Sequence, residues 1–430
     1  MGHSDLRVAA MGLERSVDGR ARPTESEMQS MERHLEDGID HGLLGMSGMT
    51  NPWDKLDGDR ERSKSLPATY ASWKEYRRLH RLLRRRDAIL QSAPNLNNPL
   101  NAVFYLATSA TFGLRDALRT TLITLMDVKA KPGQDRLGLF ATALFTRLMG
   151  ADFRWQALPQ PFAVYADGID FIIFEEFPAG EAALHLKQDF DRNRLFADPA
   201  YRARFKRDYR RRWGGRVWQR DFGDARVTDC PDTSLVGKSI AAIAGERGQH
   251  EVDTFLDLLI EHGRKLRWST VIGNHDPARL ASNLNEGCGI IGFSDAGAHI
   301  RNMAFYNFPL HLLQLALREG VMPVEKAVWR LTGEIADWYD IDAGRLAEGT
   351  RADMVLIDPE ALREARLDAY AEAPFEAMGG LPRMVNRNPG VVRRVVVNGR
   401  TAFREDVADP ALGVAQGFGD FLPRRARVPA

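Results

Sequence analysis

The chain has 430 residues and a formal net charge of +1, with 44% hydrophobic and 27% charged residues, which is the composition of an ordinary globular protein. The balanced charge argues against a dedicated nucleic-acid binder, and the sequence has no apolar run of about 18 residues that would span a membrane. Two cysteines cannot form a disulfide framework, and the first 20 residues lack the apolar core of a signal peptide. We therefore expect a cytoplasmic protein that binds neither nucleic acid nor membrane.

Helices and short apolar strands alternate over the first half of the chain. Residues 24–42 predict a helix, because Thr24 can cap it, Glu27 stands three residues later, and apolar residues recur at spacings of three and four. Further helices are predicted at 70–86, 100–118 and 136–149, and strands that run into loops are predicted at 43–52, 88–96, 121–133 and 163–175. This alternation is typical of βα units and a parallel sheet.

The second half continues the pattern and then changes. Residues 237–262 predict two helices separated near Gly248. Strands are predicted at 268–276 and 289–297, and helices at 309–319 and 323–338. Beyond them, GRLAEGTRADMVLIDP and VVRRVVVNGRTAF alternate in period two, which predicts short antiparallel strands of a separate β element. The basic run 201–220 predicts a solvated helix with aromatic anchors in preference to a nucleic-acid patch.

The segment after the predicted strand at 289–293 carries the most informative motif. It reads Ser-Asp-Ala-Gly-Ala-His, so Asp295 and His299 stand four residues apart among small residues. In a parallel α/β fold the carboxyl ends of the strands face the active site, where an Asp and a His can share a metal-bound water or relay a proton. The alternative is that Asp295 caps a turn and His299 is a hydrogen-bonded loop residue, and local chemistry leaves both open.

Polar residues also end three other predicted strands. Asn274 and His275 follow one strand, Asp127 and Lys129 follow another, and Asn95 follows a third. Each alone is more often structural than functional. Four strand ends with polar groups nevertheless favour a shared site, because convergence of strand ends is how a barrel site is built.

The motifs resemble the amidohydrolase superfamily, in the branch of N-acyl-D-amino-acid deacylases (D-aminoacylase-like). Four stretches carry the resemblance: GHSDLR with the helix and GLLGMSG that follow it, FSDAGAHI at 293–300, VEKAVWRLTGEIADWYDI running into AGRLAEGTRADMVLIDP, and VVRRVVVNGRTAF. The segment 289–403 is the most specific, because helix, Gly-rich turn, Ala-Asp and strand occur in the superfamily's order.

The resemblance implies an α/β fold with a TIM-like (β/α)8 amidohydrolase barrel over 1–340. The C-terminal β-sandwich strands and tail would cover 341–430. The chain aligns from about the third strand onward, so we expect an N-terminally incomplete barrel. Its exposed sheet edge would favour a homo-oligomer.

The resemblance also implies one or two divalent metal ions, usually zinc. Asp295 matches the proton-transfer Asp of the family and is a candidate metal ligand, and Asp127 is a second candidate oxygen ligand. The chain contains no His-x-His, so the main metal ligands of the family are expected outside it. The candidate substrate-binding residues are His299, His275, Asn274 and Asn95.

The function expected from this resemblance is hydrolysis of the amide C–N bond of an N-acyl (D-)amino acid or a similar small amide by metal-activated water. The missing His-x-His favours an alternative in which the chain is a non-catalytic barrel remnant that binds a small ligand or a partner. A third hypothesis is a hydrolase of cyclic amides or imides, which only a substrate panel separates from the first.

Overall fold

The computed structural model describes residues 1–56, 60–95, 98, 100–212, 214–294, 297 and 299–424. The helices are α1 (His3–Met11), α2 (Leu13–Ser16), α3 (Glu25–Asp40), α4 (Trp73–Arg85), α5 (Leu100–Ser109), α6 (Gln134–Met149), α7 (Pro178–Leu184), α8 (Asp189–Ala197), α9 (Pro199–Arg210), α10 (Ile240–Arg247), α11 (Glu251–His262), α12 (Pro277–Asn285), α13 (Phe308–Glu319), α14 (Val324–Leu331), α15 (Gly333–Tyr339) and α16 (Pro359–Glu364). The strands are β1 (Gly45–Met49), β2 (Ile89–Ala93), β3 (Thr120–Leu125), β4 (Phe153–Ala157), β5 (Phe162–Asp167), β6 (Arg226–Asp229), β7 (Arg267–Gly273), β8 (Gly289–Ile291), β9 (Met354–Ile357), β10 (Ala371–Phe375), β11 (Leu381–Val385), β12 (Val392–Val397), β13 (Arg400–Arg404) and β14 (Val407–Ala408).

A five-stranded parallel sheet in the order β1-β2-β3-β4-β8 forms the centre of the fold. The alternating helices and strands predict a parallel sheet, but β4 lies where no strand was predicted. The helices α4 and α5 bury apolar residues against it in one core that includes Leu79, Leu106 and Leu122, and α6 contributes the partly buried Leu139 and Phe145. Across the described residues this sheet is open, with β1 and β8 at its edges. Because its strands are parallel, their carboxyl ends lie along one edge of the sheet, where an α/β fold places its ligands.

The predicted helix boundaries follow capping residues. Thr24 caps α3 in a capping box with Glu27, and Ser72 caps α4 by accepting the Glu75 backbone N–H. The helix expected over 100–118 ends at Ser109, and the one expected over 323–338 is divided at Thr332, whose φ of −129° and ψ of −87° are not helical. Local capping signals therefore predict where helices begin better than periodicity predicts where they end.

Residues 158–273 depart from the predicted parallel arrangement. β5 and β6 pair antiparallel with β7, in a separate three-stranded sheet. The prediction that the strands at 163–175 and 268–276 belong to the parallel sheet is therefore wrong. The physical reason is the length of the connection: only residues 158–161 separate β4 from β5, whereas a parallel neighbour needs a crossover of about a dozen residues or more.

The antiparallel sheet is covered by a second core that is rich in aromatic residues. Phe174, Trp218, Phe255 and Trp268 are buried together, and the Phe174 and Phe255 rings stack with centroids 5.8 Å apart. The basic run at 201–220 includes α9, which buries Phe205 in the same core. This agrees with the prediction of a solvated helix with aromatic anchors.

The C-terminal segment forms a hairpin (β10, β11) and an antiparallel sheet in the order β14-β13-β12-β9. The segment is anchored to the main core by Leu362, Leu367 and Val391. The apolar residues Val355 and Leu356 of β9 are 58% and 61% exposed, so no second layer covers β9 among the described residues, and the predicted sandwich stays a prediction. No helix in the described part of the chain has the length and apolar character needed to cross a membrane.

Candidate active site at the strand ends

Two chain segments meet beside the carboxyl end of β3. The backbone N–H of Asn274 donates to the carbonyl of Asp127 over 2.9 Å, and the N–H of Lys129 donates to the carbonyl of Ile272 over 2.9 Å. Val128 and Gly273 form an antiparallel bridge between these bonds. These backbone hydrogen bonds join the segment that follows β3 to the end of β7. Two of the predicted polar strand ends therefore lie side by side.

Asn274 fixes this junction through its side chain. It is 2% exposed, its amide donates to the carbonyls of Leu158 and Gln160 over 3.0 and 3.1 Å, and its φ is +53°, a conformation that Asn tolerates well. Leu158 and Gln160 directly follow β4, so Asn274 ties a third strand end to the other two. Both N–H groups of its side-chain amide already donate to backbone carbonyls. This favours a role in positioning the strand ends over the predicted contact with substrate.

Asp127 and His275 form a pair at this junction. Nδ1 of His275 lies 3.4 Å from Oδ2 of Asp127, and the carboxylate is 6% exposed whereas the imidazole is 40% exposed. A buried carboxylate beside one ring nitrogen orients an imidazole. The pair can therefore take a proton from a bound water while remaining accessible to a ligand.

Lys129 and Arg216 bring two cationic groups to the segment that follows Asp127. Nζ of Lys129 contacts Oδ2 of Asp224 at 2.8 Å, and Arg216 donates from Nη2 to the carbonyl of Ala130 over 3.2 Å. Nη1 of Arg216 is buried and has no hydrogen-bond partner among the described residues. Burial, with Arg212 nearby, lowers the pKa of Arg216. A buried donor without a partner is costly, so this nitrogen suits an anionic group of a ligand.

The other predicted site residues have different placements. Asn95 is held at the start of α5, where its N–H donates to Oδ1 of Asn101 over 2.8 Å. The carbonyl of His299 accepts the N–H groups of Asn302 and Met303, which forms a turn after β8.

Asp295, the predicted proton-transfer residue and metal ligand, lies outside the described residues. Phe293, two residues before it, stacks on Phe162 with centroids 5.8 Å apart.

A second cluster of potential metal ligands lies outside the predicted site. Glu175, Glu181 and His185 place one ligand atom each within 4.8 Å of one another, and Nζ of Lys55 is 3.9 and 3.7 Å from oxygens of the two carboxylates. Sequence analysis missed this cluster, although Glu181 and His185 stand four residues apart on and just after α7. At the strand ends, the described residues offer only Asp127 and His275 as a pair of ligands.

The carboxyl group of Glu175 is buried, and its pKa is raised. Its side chain is 8% exposed, and Oε2 has no hydrogen-bond partner among the described residues. Burial raises its pKa to about 7, an effect that Lys55 opposes and Glu181 reinforces. When burial raises the pKa of a carboxyl group in the folded state, the group does not lower the free energy of unfolding at a pH below its unfolded-state pKa. As the pH rises from the unfolded-state pKa to the folded-state pKa, the group destabilises the fold increasingly.

We expect Glu175→Gln to stabilise the protein more at pH 8 than at pH 5. Between those values the wild type must ionise a buried carboxyl that Gln lacks, and a shift from 4.5 to about 7 corresponds to about 3 kcal/mol at most. Urea denaturation at both pH values measures the difference. Glu348→Gln is the matched control, because that side chain is exposed and lies outside this cluster. An equal effect of Glu175→Gln at both pH values would contradict the argument.

Comparison with known proteins gives relatives that are similar along nearly the whole chain. Uncharacterized proteins of Mycobacterium tuberculosis and Mycobacterium bovis are 48% identical over 412 residues, which is 94% of this chain and 67% of each relative. The chain therefore spans about two thirds of the length of these relatives. No family model matches the chain.

Solved structures show the same fold at low sequence identity. D-aminoacylase, whose structures include one with a binuclear metal centre, matches 98% of this chain at 20% identity with a TM-score of 0.56. N-acyl-D-glutamate deacylase of Bordetella bronchiseptica, in complex with zinc and a phosphonate mimic of the tetrahedral intermediate, matches 98% at 18% identity with a TM-score of 0.55. This chain covers 70% of each of those chains.

Proposed function

Because the chain belongs to the same family as these mycobacterial proteins and has the fold of the D-aminoacylase amidohydrolases, we propose that it hydrolyses the amide bond of an N-acyl (D-)amino acid or a similar small amide. The observation that carries the proposal is the Asp127–His275 pair, which lies where three strand ends meet. An open edge of strand ends is where α/β folds place their chemistry.

The pair would supply the general base. His275 takes a proton from a water molecule while the carboxylate of Asp127 holds the imidazole in place. The hydroxide so formed adds to the acyl carbon, the C–N bond breaks, and the leaving nitrogen gains a proton. Asp295 is proposed to take the proton of the hydroxyl group in the adduct and deliver it to the nitrogen, since it follows β8 in the motif that resembles the family's proton-transfer Asp. His275 then releases the proton of the first step to solvent.

Zinc is the metal that the fold implies, and the described strand ends fit it only in part. A catalytic zinc usually takes three protein ligands, and Asp127 with His275 supplies two. These described residues alone do not form that centre. A zinc held there with Asp295 as a further ligand would lower the pKa of a bound water.

The substrate carboxylate has a candidate partner in Arg216. Its Nη2 donates to the carbonyl of Ala130, three residues after Asp127, and its buried Nη1 has no hydrogen-bond partner among the described residues, although the buried Glu176 carboxylate interacts with this guanidinium electrostatically. An N-acyl amino acid carries a carboxylate beside the scissile amide, and guanidinium groups bind carboxylates with charge-assisted hydrogen bonds. This match favours an N-acyl amino acid over a neutral cyclic amide.

We expect Arg216→Met to raise KM for an N-acetyl-D-amino acid by about 10- to 100-fold, because a hydrogen bond to a charged group contributes about 1.5–3 kcal/mol. The measurement is steady-state hydrolysis of an N-acetyl-D-amino acid and of its C-terminal amide. The variant should lose the preference for the free acid, with kcat changed little. Arg212→Met, an exposed neighbour, is the control. An unchanged preference for the free acid would remove Arg216 from the site, and no hydrolysis by the wild type would refute the proposed function.

A further inference from the structure

A cavity of about 510 Å³ lies on the outer surface between α4 and α5. Its size falls within the range of about 300–1,000 Å³ that is typical of small-molecule sites. Five cationic side chains line it: Lys74, Arg77, Arg81, Arg84 and Arg115. No Asp or Glu lines it, and none of the five forms an ion pair with a carboxylate among the described residues.

The cations are arranged by the helix itself. Lys74, Arg77, Arg81 and Arg84 are spaced three, four and three residues apart, so they lie on one face of α4. Like charges at such spacings repel each other, and burial together with Arg115 lowers the pKa of Arg84 to about 10. Asp116 offsets part of this charge at Arg84, and an anion in the cavity would relieve the repulsion that remains.

The floor of the cavity contains a polar group that lacks a partner. His80 is 2% exposed, and neither ring nitrogen has a hydrogen-bond partner among the described residues. Burial, with His3 and Arg84 nearby, lowers the pKa of His80 to about 3, so the ring is neutral at physiological pH and keeps one N–H donor. A fully buried donor without an acceptor is rare in folded proteins and points to a ligand atom at this position.

The remaining walls are apolar and aromatic. Phe104 packs against Trp73 with ring centroids 4.1 Å apart, and Phe112 is 44% exposed with the guanidinium of Arg115 5.3 Å from its ring centroid. A bare inorganic ion would leave most of the cavity empty. The walls suit a ligand that combines an anionic group with a flat or apolar part.

We propose that this cavity binds a small organic phosphate of the size of a nucleoside phosphate, with the cations of α4 and Arg115 around the phosphate and the aromatic walls around the organic part. Arginine binds phosphate oxygens through several N–H groups at once, which favours phosphate over a single carboxylate. The cavity is separate from the Asp127–His275 pair, so the outcome of its test leaves the proposed hydrolysis untouched.

The test is calorimetric titration of the full chain with ATP, adenosine and inorganic phosphate. We expect saturable ATP binding, no adenosine binding, and binding of inorganic phosphate that is at least about 10-fold weaker than that of ATP. The double substitution Arg77→Gln with Arg81→Gln should weaken ATP binding by at least about 10-fold, since each removes a charge-assisted contact. Arg85→Gln, on an exposed position of α4 outside the cavity, should not change it.

Three results would overturn the proposal. The first is the absence of saturable ATP binding at about 5 mM, which corresponds to an affinity too weak for a built site. The second is an equal loss of binding in Arg85→Gln, which would indicate a diffuse surface charge. The third is binding to vesicles of anionic lipid without binding to ATP, which would make the exposed cations a membrane-facing surface. A thermal melt of each variant checks that the protein is folded, so that a loss of binding is not caused by unfolding.

Discussion

Replacing His275 by Gln is expected to lower kcat for hydrolysis of an N-acyl amino acid by at least about 10²-fold, the lower range for loss of a general base. The imidazole is the accessible member of the Asp127–His275 pair, and an amide of similar size cannot accept a proton from water. The fold should persist, because His275 is 40% exposed and adds little to the core. Steady-state kinetics with a thermal melt on the same preparation measures both effects.

His34→Gln provides the matched control for this substitution. It changes the same residue type at an exposed position of α3, and it should leave kcat unchanged. If the pair acts as a unit, Asp127→Asn should reduce kcat as well, and the double variant should lose little more than His275→Gln alone, because residues that act together are not additive. A kcat within about twofold of wild type in His275→Gln would exclude the pair as the general base.

The second large effect is expected at Asp295. Asp295→Asn should lower kcat by at least about 10²-fold, because a carboxylate can pass a proton to the leaving nitrogen and an amide cannot. The melting temperature should change little, since the substitution is nearly isosteric. If Asp295 only caps a turn, the pattern reverses: activity is retained while stability falls by roughly 0.5–2 kcal/mol.

Ser294→Ala separates these explanations further. It alters the neighbouring residue of the same motif without removing a carboxylate, so a general disturbance of this segment would lower kcat in both variants. Loss in Asp295→Asn alone supports proton transfer by the carboxylate. A retained kcat in Asp295→Asn would remove this residue from the mechanism.

Sequence patterns predicted those parts of the fold that depend on local signals. The capping box at Thr24 and the Ser72 cap mark the beginnings of α3 and α4, and apolar strands between helices indicate the parallel sheet. The structure brings Asp127 and His275 together, but it does so through the antiparallel bridge between Val128 and Gly273 and not through a shared parallel sheet.

What the sequence did not predict depends on contacts between distant residues. β5 and β7 have the same strand signals as the parallel strands, and only their antiparallel pairing distinguishes them, whereas β6 lies where no strand was predicted. Arg216 was one of many basic residues in the run 201–220, and its contact with Ala130 spans 86 positions. Glu175 meets Lys55 across a distance of 120 positions in the chain, so neither local composition nor spacing indicates the pair.

The central claim is that this chain hydrolyses an N-acyl amino acid at the strand ends. Its most direct test is mass-spectrometric detection of the free amino acid and carboxylic acid when the purified chain is incubated with N-acetyl-D- and N-acetyl-L-amino acids. We predict both products in equal amounts from a D-substrate with the wild type, and at least about 10²-fold slower formation with His275→Gln. Absence of product from every substrate, or equal rates with the two proteins, would contradict the claim.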